Sequence, residues 1–326
     1  MPAIPHRVIW LFALAYMLCY MPYAALVKTT SRAAKAGEGA ALLPVSLAVT
    51  VFSLAVIVTL LGWWKHWRRP AAHVVLSGIG AGLVIATTTL AYTFSGVSVI
   101  FALLLMRGGV LILAPLVDLF AGRRIRWFAW AALITSIGAL VAAIATVPDH
   151  RITTGVMVNL AGYLCGYVLR LPSMTHGAKV DDPAATRCFF VQELVVASAV
   201  VVIVPALLAL SGVGALRRGY TDFSPGTILI GCCYATLYVF GTLIYLDRRE
   251  NTFCVPLNRA ASLLAGVLVM FTMQQYGFAA PLTSDLVAAM LILVALMFLS
   301  PLHHIPEWMF AVLFSRRGAV TTKEAA

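Results

Sequence analysis

Charge is what this sequence has least of. Only 11% of its 326 residues are Asp, Glu, Lys or Arg, against about 25% in ordinary soluble domains. Meanwhile 62% are hydrophobic and the mean hydropathy is +0.96. So few charges cannot solvate the surface of a chain this long, which excludes a water-soluble globular fold. Acids are scarcer than bases, 12 against 23, for a net charge of +11. In a soluble chain that imbalance would suggest nucleic acid. Here the bases sit in short loops between apolar runs, with no basic patch interleaved with aromatics, and that reading fails.

Catalytic signatures are missing too. The six cysteines (Cys19, Cys165, Cys188, Cys232, Cys233 and Cys254) lie in or beside apolar runs without zinc-ligand spacing or a disulfide framework. The His303-His304 pair closes the last apolar run and is read as incidental. There is no Walker motif, HExxH or paired DxxD, which argues against direct ATP coupling and metal catalysis. No catalytic residue, metal site or cofactor is expected, and the chain is read as no enzyme. Short alternating strands are absent, which excludes a β-barrel.

What fills the chain is ten apolar stretches, near 8–27, 41–62, 73–94, 97–120, 127–147, 154–173, 188–212, 226–246, 253–273 and 284–302. Each has about 20 residues, the length a ~30 Å hydrocarbon core demands of a helix. The expectation is an all-α, multi-pass membrane protein of ten transmembrane helices. The N-terminal run is too long for a signal-peptide core and is read as a retained helix. With the N-terminus cytoplasmic, fourteen Lys and Arg fall on that side, six on the other, and three (Arg107, Arg170, Arg259) within spans. That excess places both termini inside, in the inner (plasma) membrane. All seven tryptophans fall at the same predicted interface, where indoles anchor.

The halves echo one another. LAYMLC at Leu14–Cys19 returns as LAGYLC at Leu160–Cys165, and Arg107-Gly-Gly-Val-Leu as Arg259-Ala-Ala-Ser-Leu, at offsets of 146 and 152. Five spans per half is odd, so the second half must enter the membrane upside down, an inverted repeat of the secondary-transporter kind. The expected division is 1–150 and 151–303 for the two five-helix repeats, with a cytoplasmic tail at 304–326 whose Trp308, Phe310 and Arg316-Arg317 suit an interfacial helix.

The stretch FALLLMRGGVLILAPLVDLFAGRRIRWFAWAALITSIGALVAAI (Phe101–Ile144) resembles the end of the first half-repeat in the EamA-like drug/metabolite transporter superfamily, and residues 253–299 look like the same element in the second repeat. The portion MRGGVLIL is similar to the solute-carrier-35, nucleotide-sugar-like branch. Arg123-Arg124 stand where a glutamate commonly closes the fourth span of that family. The resemblance implies a ten-helix fold with a central cavity and alternating access, and no particular substrate.

Several residues stand out inside the spans. Arg107 has about ten apolar residues on either side, roughly 15 Å from each membrane face. A charge at that depth costs ~2.5–3.5 kcal/mol on insertion scales and needs a polar cavity or partner. Arg107 and Arg259 are expected to line a cavity and bind an anionic or strongly polar group, because a guanidinium stays charged and matches carboxylate or phosphate in a fork. Asn159, Tyr163, Tyr167 and Arg170 share one face of span six. With Tyr92 and Tyr20 they complete the expected lining, joined by Tyr16, Tyr234 and Tyr238. Glu193 either pairs with Arg170 as structural glue or titrates as a proton carrier. Depth counting puts Asp118, Arg170, Glu193 and Arg259 in one layer, with Glu193 and Arg259 about six residues into their spans. The Gly78-Ile-Gly80-Ala-Gly82 run resembles a phosphate loop but lies inside an apolar span, so it is read as close helix packing.

The function expected is a secondary transporter of a small polar or anionic metabolite, working by alternating access with a proton or counter-substrate, as monomer or homodimer. A flippase for a lipid-linked sugar or other amphiphile is the alternative, and a membrane-embedded transferase a more distant one. The partners are lipid bilayer and small-molecule substrate, with no nucleic acid.

Overall fold

The computed structural model describes residues 6–33, 39–91, 93, 99–145, 154–177, 182–277 and 283–299. Among them are eleven α-helices and two short 3₁₀ turns, with no strand. The helices are α1 (His6–Ala33), α2 (Leu43–Leu60), α3 (Ala72–Ala91), α4 (Val99–Phe120), α5 (Trp127–Ala145), α6 (Thr154–Gly177), α7 (Pro183–Leu210), α8 (Gly214–Gly219), α9 (Pro225–Tyr245), α10 (Asn251–Gln274) and α11 (Thr283–Leu299). Among the described residues, six stretches are long and apolar enough to cross a membrane: Val8–Arg32, Gly39–Leu60, Ala72–Ala91, Pro183–Leu210, Pro225–Tyr245 and Asn251–Gln274. The chain is thus an all-α protein with the make-up of an integral, multi-pass membrane protein. The tail at 304–326 lies outside the described residues, as do Tyr92 and the His303-His304 pair.

Helix boundaries follow local chemistry. α7 starts at Pro183, five residues before the predicted span, because Asp182 caps it. The Asp182 carboxylate accepts from the Ala184 amide at 2.8 Å, and Pro183 occupies the first helical position, where an amide proton is dispensable. The link left between the predicted spans at 174–187 shrinks accordingly, since α6 runs on to Gly177. α9 opens the same way, with the Ser224 hydroxyl accepting from the Thr227 amide at 3.3 Å ahead of Pro225.

The two halves of the sequence interleave instead of standing side by side. α3 packs on α6 and α7, while α9 packs on α1 and α2; α10 lies against α1, and α4 against α6. α5 and α11 lie together, as do α4 and α10, and α2 meets α7. Within each half, α4 packs on α5 and α10 on α11. α10 is the most enclosed, with 89% of its apolar window buried against 28% for α7. Small residues on α10 (Ala260, Ala261, Ser262, Ala265 and Gly266, all buried) let its neighbours approach from every side.

The α3–α6 crossing depends on glycine. A Cβ on Gly80 would stand 2.4 Å from the Gly166 carbonyl oxygen, and one on Gly166 2.7 Å from that of Gly80. Gly78 and Gly82 face Val196 and Val200 of α7 equally tightly. The glycine run is therefore a packing surface between three helices, as its apolar setting predicted.

Candidate functional site

Six helices meet around one internal cavity. α1 contributes Tyr16; α3, Val84 and Thr88; α4, Arg107; α6, Tyr163, Tyr167 and Arg170; α9, a face running from Tyr234 to Tyr245; and α10, Asn258 and Arg259. Its volume is about 30 Å³, room for a water or two and too little for a metabolite. The polar stripe of α6 faces this interior: Asn159, Tyr163, Tyr167 and Arg170 are all buried. Asn159 lies outside the lining, however, and its Oδ1 has no hydrogen-bond acceptor role filled by any protein donor.

Three arginines are buried here, and they differ in their partners. Arg170, 3% exposed, donates to Glu193 through Nε at 3.0 Å and Nη2 at 2.8 Å, and through Nη2 to the Thr242 hydroxyl at 2.8 Å. Glu193 also accepts from the Tyr238 hydroxyl at 3.0 Å and from Ser77. With four donors on one carboxylate, the ion pair is satisfied on both sides.

Arg107 stands with its guanidinium 4.8 Å from the centre of the Tyr20 ring, a cation–π contact, and is 2% exposed. Tyr20 thus serves behind the arginine and not on the cavity wall. Arg259, 3% exposed, stacks on Tyr167 at 4.7 Å, with Tyr163 and Tyr245 at 5.8 and 5.9 Å. Tyr167 is hydrogen-bonded to it. Its Nε and Nη2, the edge that recognises oxyanions in a fork, find no acceptor in the protein. Among the described residues no carboxylate lies within ion-pair distance of it.

The single layer expected for Asp118, Arg170, Glu193 and Arg259 is corrected. Glu193 is the eleventh residue of α7 and Arg259 the ninth of α10, both deeper than six because their helices begin earlier than the apolar runs. Asp118 instead meets the start of α10. Its carboxylate accepts from the Asn251 amide at 3.0 Å, the Thr252 amide at 2.7 Å, and the side chains of both residues. That is a helix N-cap supplied by another helix, about 10–12 Å along α10 from Arg259. Beside it, Arg126 forks onto Glu250 at 2.7 and 3.1 Å, and Arg123 donates to the Arg248 and Arg249 carbonyls. A groove of about 460 Å³ between the ends of α4 and α6 flanks this cluster, walled by Phe120, Pro172, Arg123 and His176.

Among the cavity residues that escaped the sequence reading are Thr88, Thr242, Tyr245 and Asn258. The Tyr245 hydroxyl donates to Asn258 Oδ1 at 2.9 Å, and its ring lies beside Arg259. The signal was available in the spacing of Tyr234, Tyr238 and Tyr245, which puts three hydroxyls on one face of α9. Among the described residues no group of His, Cys, Asp and Glu could hold a metal ion.

No family model and no curated protein matches the chain. Solved structures do. One, described only as "Crystal structure of protein", is 16% identical, with a TM-score of 0.58 over 91% of this chain and 97% of its own. At that identity the likeness concerns the fold alone: the architecture recurs, end to end, in another protein.

Proposed function

We propose that the protein is a secondary transporter of a small polar or anionic metabolite, built from ten transmembrane helices in two inverted five-helix repeats. The observation that carries this is Arg259, whose charge and two unmet N–H groups are held inside an apolar helix bundle on the wall of a tyrosine-lined cavity. Burying such a group in the protein alone is unfavourable by several kcal/mol. It is understandable where a charged ligand visits.

The packing supports the repeat. Exchanging α1 with α6, α2 with α7, α3 with α9, α4 with α10 and α5 with α11 turns the contact of α3 with α6 into that of α9 with α1, and the contact of α3 with α7 into that of α9 with α2. The contacts α5–α11, α4–α10 and α2–α7 map onto themselves. A two-fold relation between halves of five helices is the architecture that rocks around a central site. The resemblance of Phe101–Ile144 to the EamA-like drug/metabolite transporters agrees with it.

With both termini cytoplasmic, as the excess of loop Lys and Arg on that side suggests, the cluster of Asp118, Arg126 and Glu250 would close the cytoplasmic entrance. A cavity of about 30 Å³ then corresponds to the occluded state, which must open to either side to take cargo. The test is counterflow in proteoliposomes: vesicles preloaded with a metabolite extract should accumulate labelled cargo, and Arg259→Gln should abolish accumulation. Undiminished counterflow by Arg259→Gln would remove that residue from the site, and movement of labelled lipid in place of a soluble metabolite would identify a flippase.

A further inference from the structure

We infer, building on the transporter reading, that the end of the cargo seated in this cavity is a carboxylate with no ammonium beside it: an organic acid and not an amino acid. Its seat is made by two neighbours on α10, Asn258 and Arg259, which both stand on the cavity wall and are 1% and 3% exposed. Arg259 brings Nε and Nη2, and neither meets an acceptor in the protein. Asn258 adds a third donor of the same kind. Its Oδ1 accepts from the Tyr245 hydroxyl at 2.9 Å, which orients the amide, and its Nδ2 is left without an acceptor. Gly241 of α9 keeps the space beside that amide clear. A Cβ there would stand 3.6 Å from Asn258 Nδ2 and 2.9 Å from the Tyr16 ring.

Donors left unmet in a buried wall call for a ligand made of acceptors, since each costs its full desolvation while it stands empty. A carboxylate is acceptor-only. Its two oxygens match the guanidinium edge in a fork and keep lone pairs over for the amide. The volume of about 30 Å³ holds about two water-sized groups, as many as a carboxylate has oxygens and fewer than a phosphate has. An ammonium has no such place. Among the described residues no carboxylate lines the cavity. Glu193, which is not on the wall, already accepts from Arg170, Tyr238 and Ser77. Beside the Arg259 guanidinium an ammonium would add like charge with no counter-ion to offset it. An uncharged amide or hydroxyl could accept from one donor and would leave the charge of Arg259 unbalanced.

The test uses the full-length protein in detergent and follows thermal unfolding against one three-carbon skeleton with four different ends: propionate, propionamide, propylamine and alanine, with inorganic phosphate alongside and chloride holding ionic strength constant. Ligand that binds the folded state raises the unfolding midpoint in proportion to its affinity. Propionate should raise it, propionamide and propylamine should not, and alanine should bind at least tenfold more weakly than propionate. Arg259→Gln should weaken propionate binding on the order of tenfold to a hundredfold. Arg259→Lys keeps the charge and loses the fork, so it should retain only part of the affinity. Asn258→Asp keeps an acceptor for the Tyr245 hydroxyl but replaces the N–H donors with a negative charge, and should abolish propionate binding while the ligand-free protein stays folded. Alanine or propylamine binding as tightly as propionate, phosphate binding more tightly, no shift with propionate, or propionate binding untouched by Arg259→Gln and Asn258→Asp would each overturn the inference. Propionate binding without counterflow of any metabolite would instead leave this seat standing and defeat the transporter reading. Counterflow of a cargo that has no carboxylate, with no propionate binding, would do the reverse.

Discussion

Arg170 and Arg259 stand on the wall of the same cavity, are equally buried, and live by opposite rules. Arg170 spends its N–H groups on Glu193 and Thr242, and Glu193 is further held by Tyr238 and Ser77. Arg259 has tyrosine rings around it and an open edge. The comparison separates a charge that holds helices together from one kept available for a ligand. Burial alone does not distinguish them; the count of satisfied N–H groups does.

The sharpest way to break the comparison is to strand the paired charge. Glu193→Ala removes the one counter-ion that Arg170 contacts among the described residues and leaves its guanidinium buried without a balancing charge there. Loss of one partner from such a pair costs about 3–5 kcal/mol, so the variant should unfold at a much lower temperature in detergent or fail to accumulate. Replacing both members, Arg170→Met with Glu193→Leu, should recover much of that loss. If Glu193→Ala were as stable as the wild type, Arg170 would need the same functional reading as Arg259.

Asp118 extends the comparison to a carboxylate, since its oxygens serve the backbone of another helix. Asp118→Ala leaves two amides and two side chains at the start of α10 without their acceptor. A loss of about 2–3 kcal/mol is expected, again read from thermal unfolding. Under the transporter reading the same variant should favour the inward-open state, raising cytoplasmic reactivity of a cysteine placed in the cavity. A smaller effect follows from Gly80→Ala, whose added methyl must displace the Gly166 backbone. Overpacking of this kind costs about 1–3 kcal/mol, and Gly138→Ala, with nothing within 4 Å of the new Cβ, should cost none of it.

How much of this was legible beforehand depends on how local the cause is. Each of the ten long helices among the described residues overlaps an apolar run, because length and apolarity are properties of a single segment. The placing of Arg107 and Arg259 inside apolar spans and the inward face of α6 could be read from spacing alone. Depth could not. Glu193 and Arg259 sit farther into their helices than the apolar runs suggest, because Asp182 and the Asp118 cap let α7 and α10 begin among polar residues. Nothing adjacent in sequence announces that Asp118 serves a helix 133 residues away, or that Ser77 meets Glu193. Such contacts follow from interleaving of the halves, a long-range property.

The smallest stability effect belongs to Arg259 itself, and it is the decisive side of the comparison. Because this guanidinium has no carboxylate within ion-pair distance among the described residues, Arg259→Met removes a desolvated charge and strands no counter-ion. Its loss of packing on Tyr167 and Tyr163 is offset by the relief of that desolvation. The unfolding temperature should therefore shift by the equivalent of less than about 1 kcal/mol, or rise, while counterflow disappears. Arg170→Met is the matched control, since it strands Glu193 and should unfold several kcal/mol more readily. If the two methionine variants proved equally unstable, Arg259 would have a structural partner that its geometry does not reveal, and its assignment to cargo would fall with it.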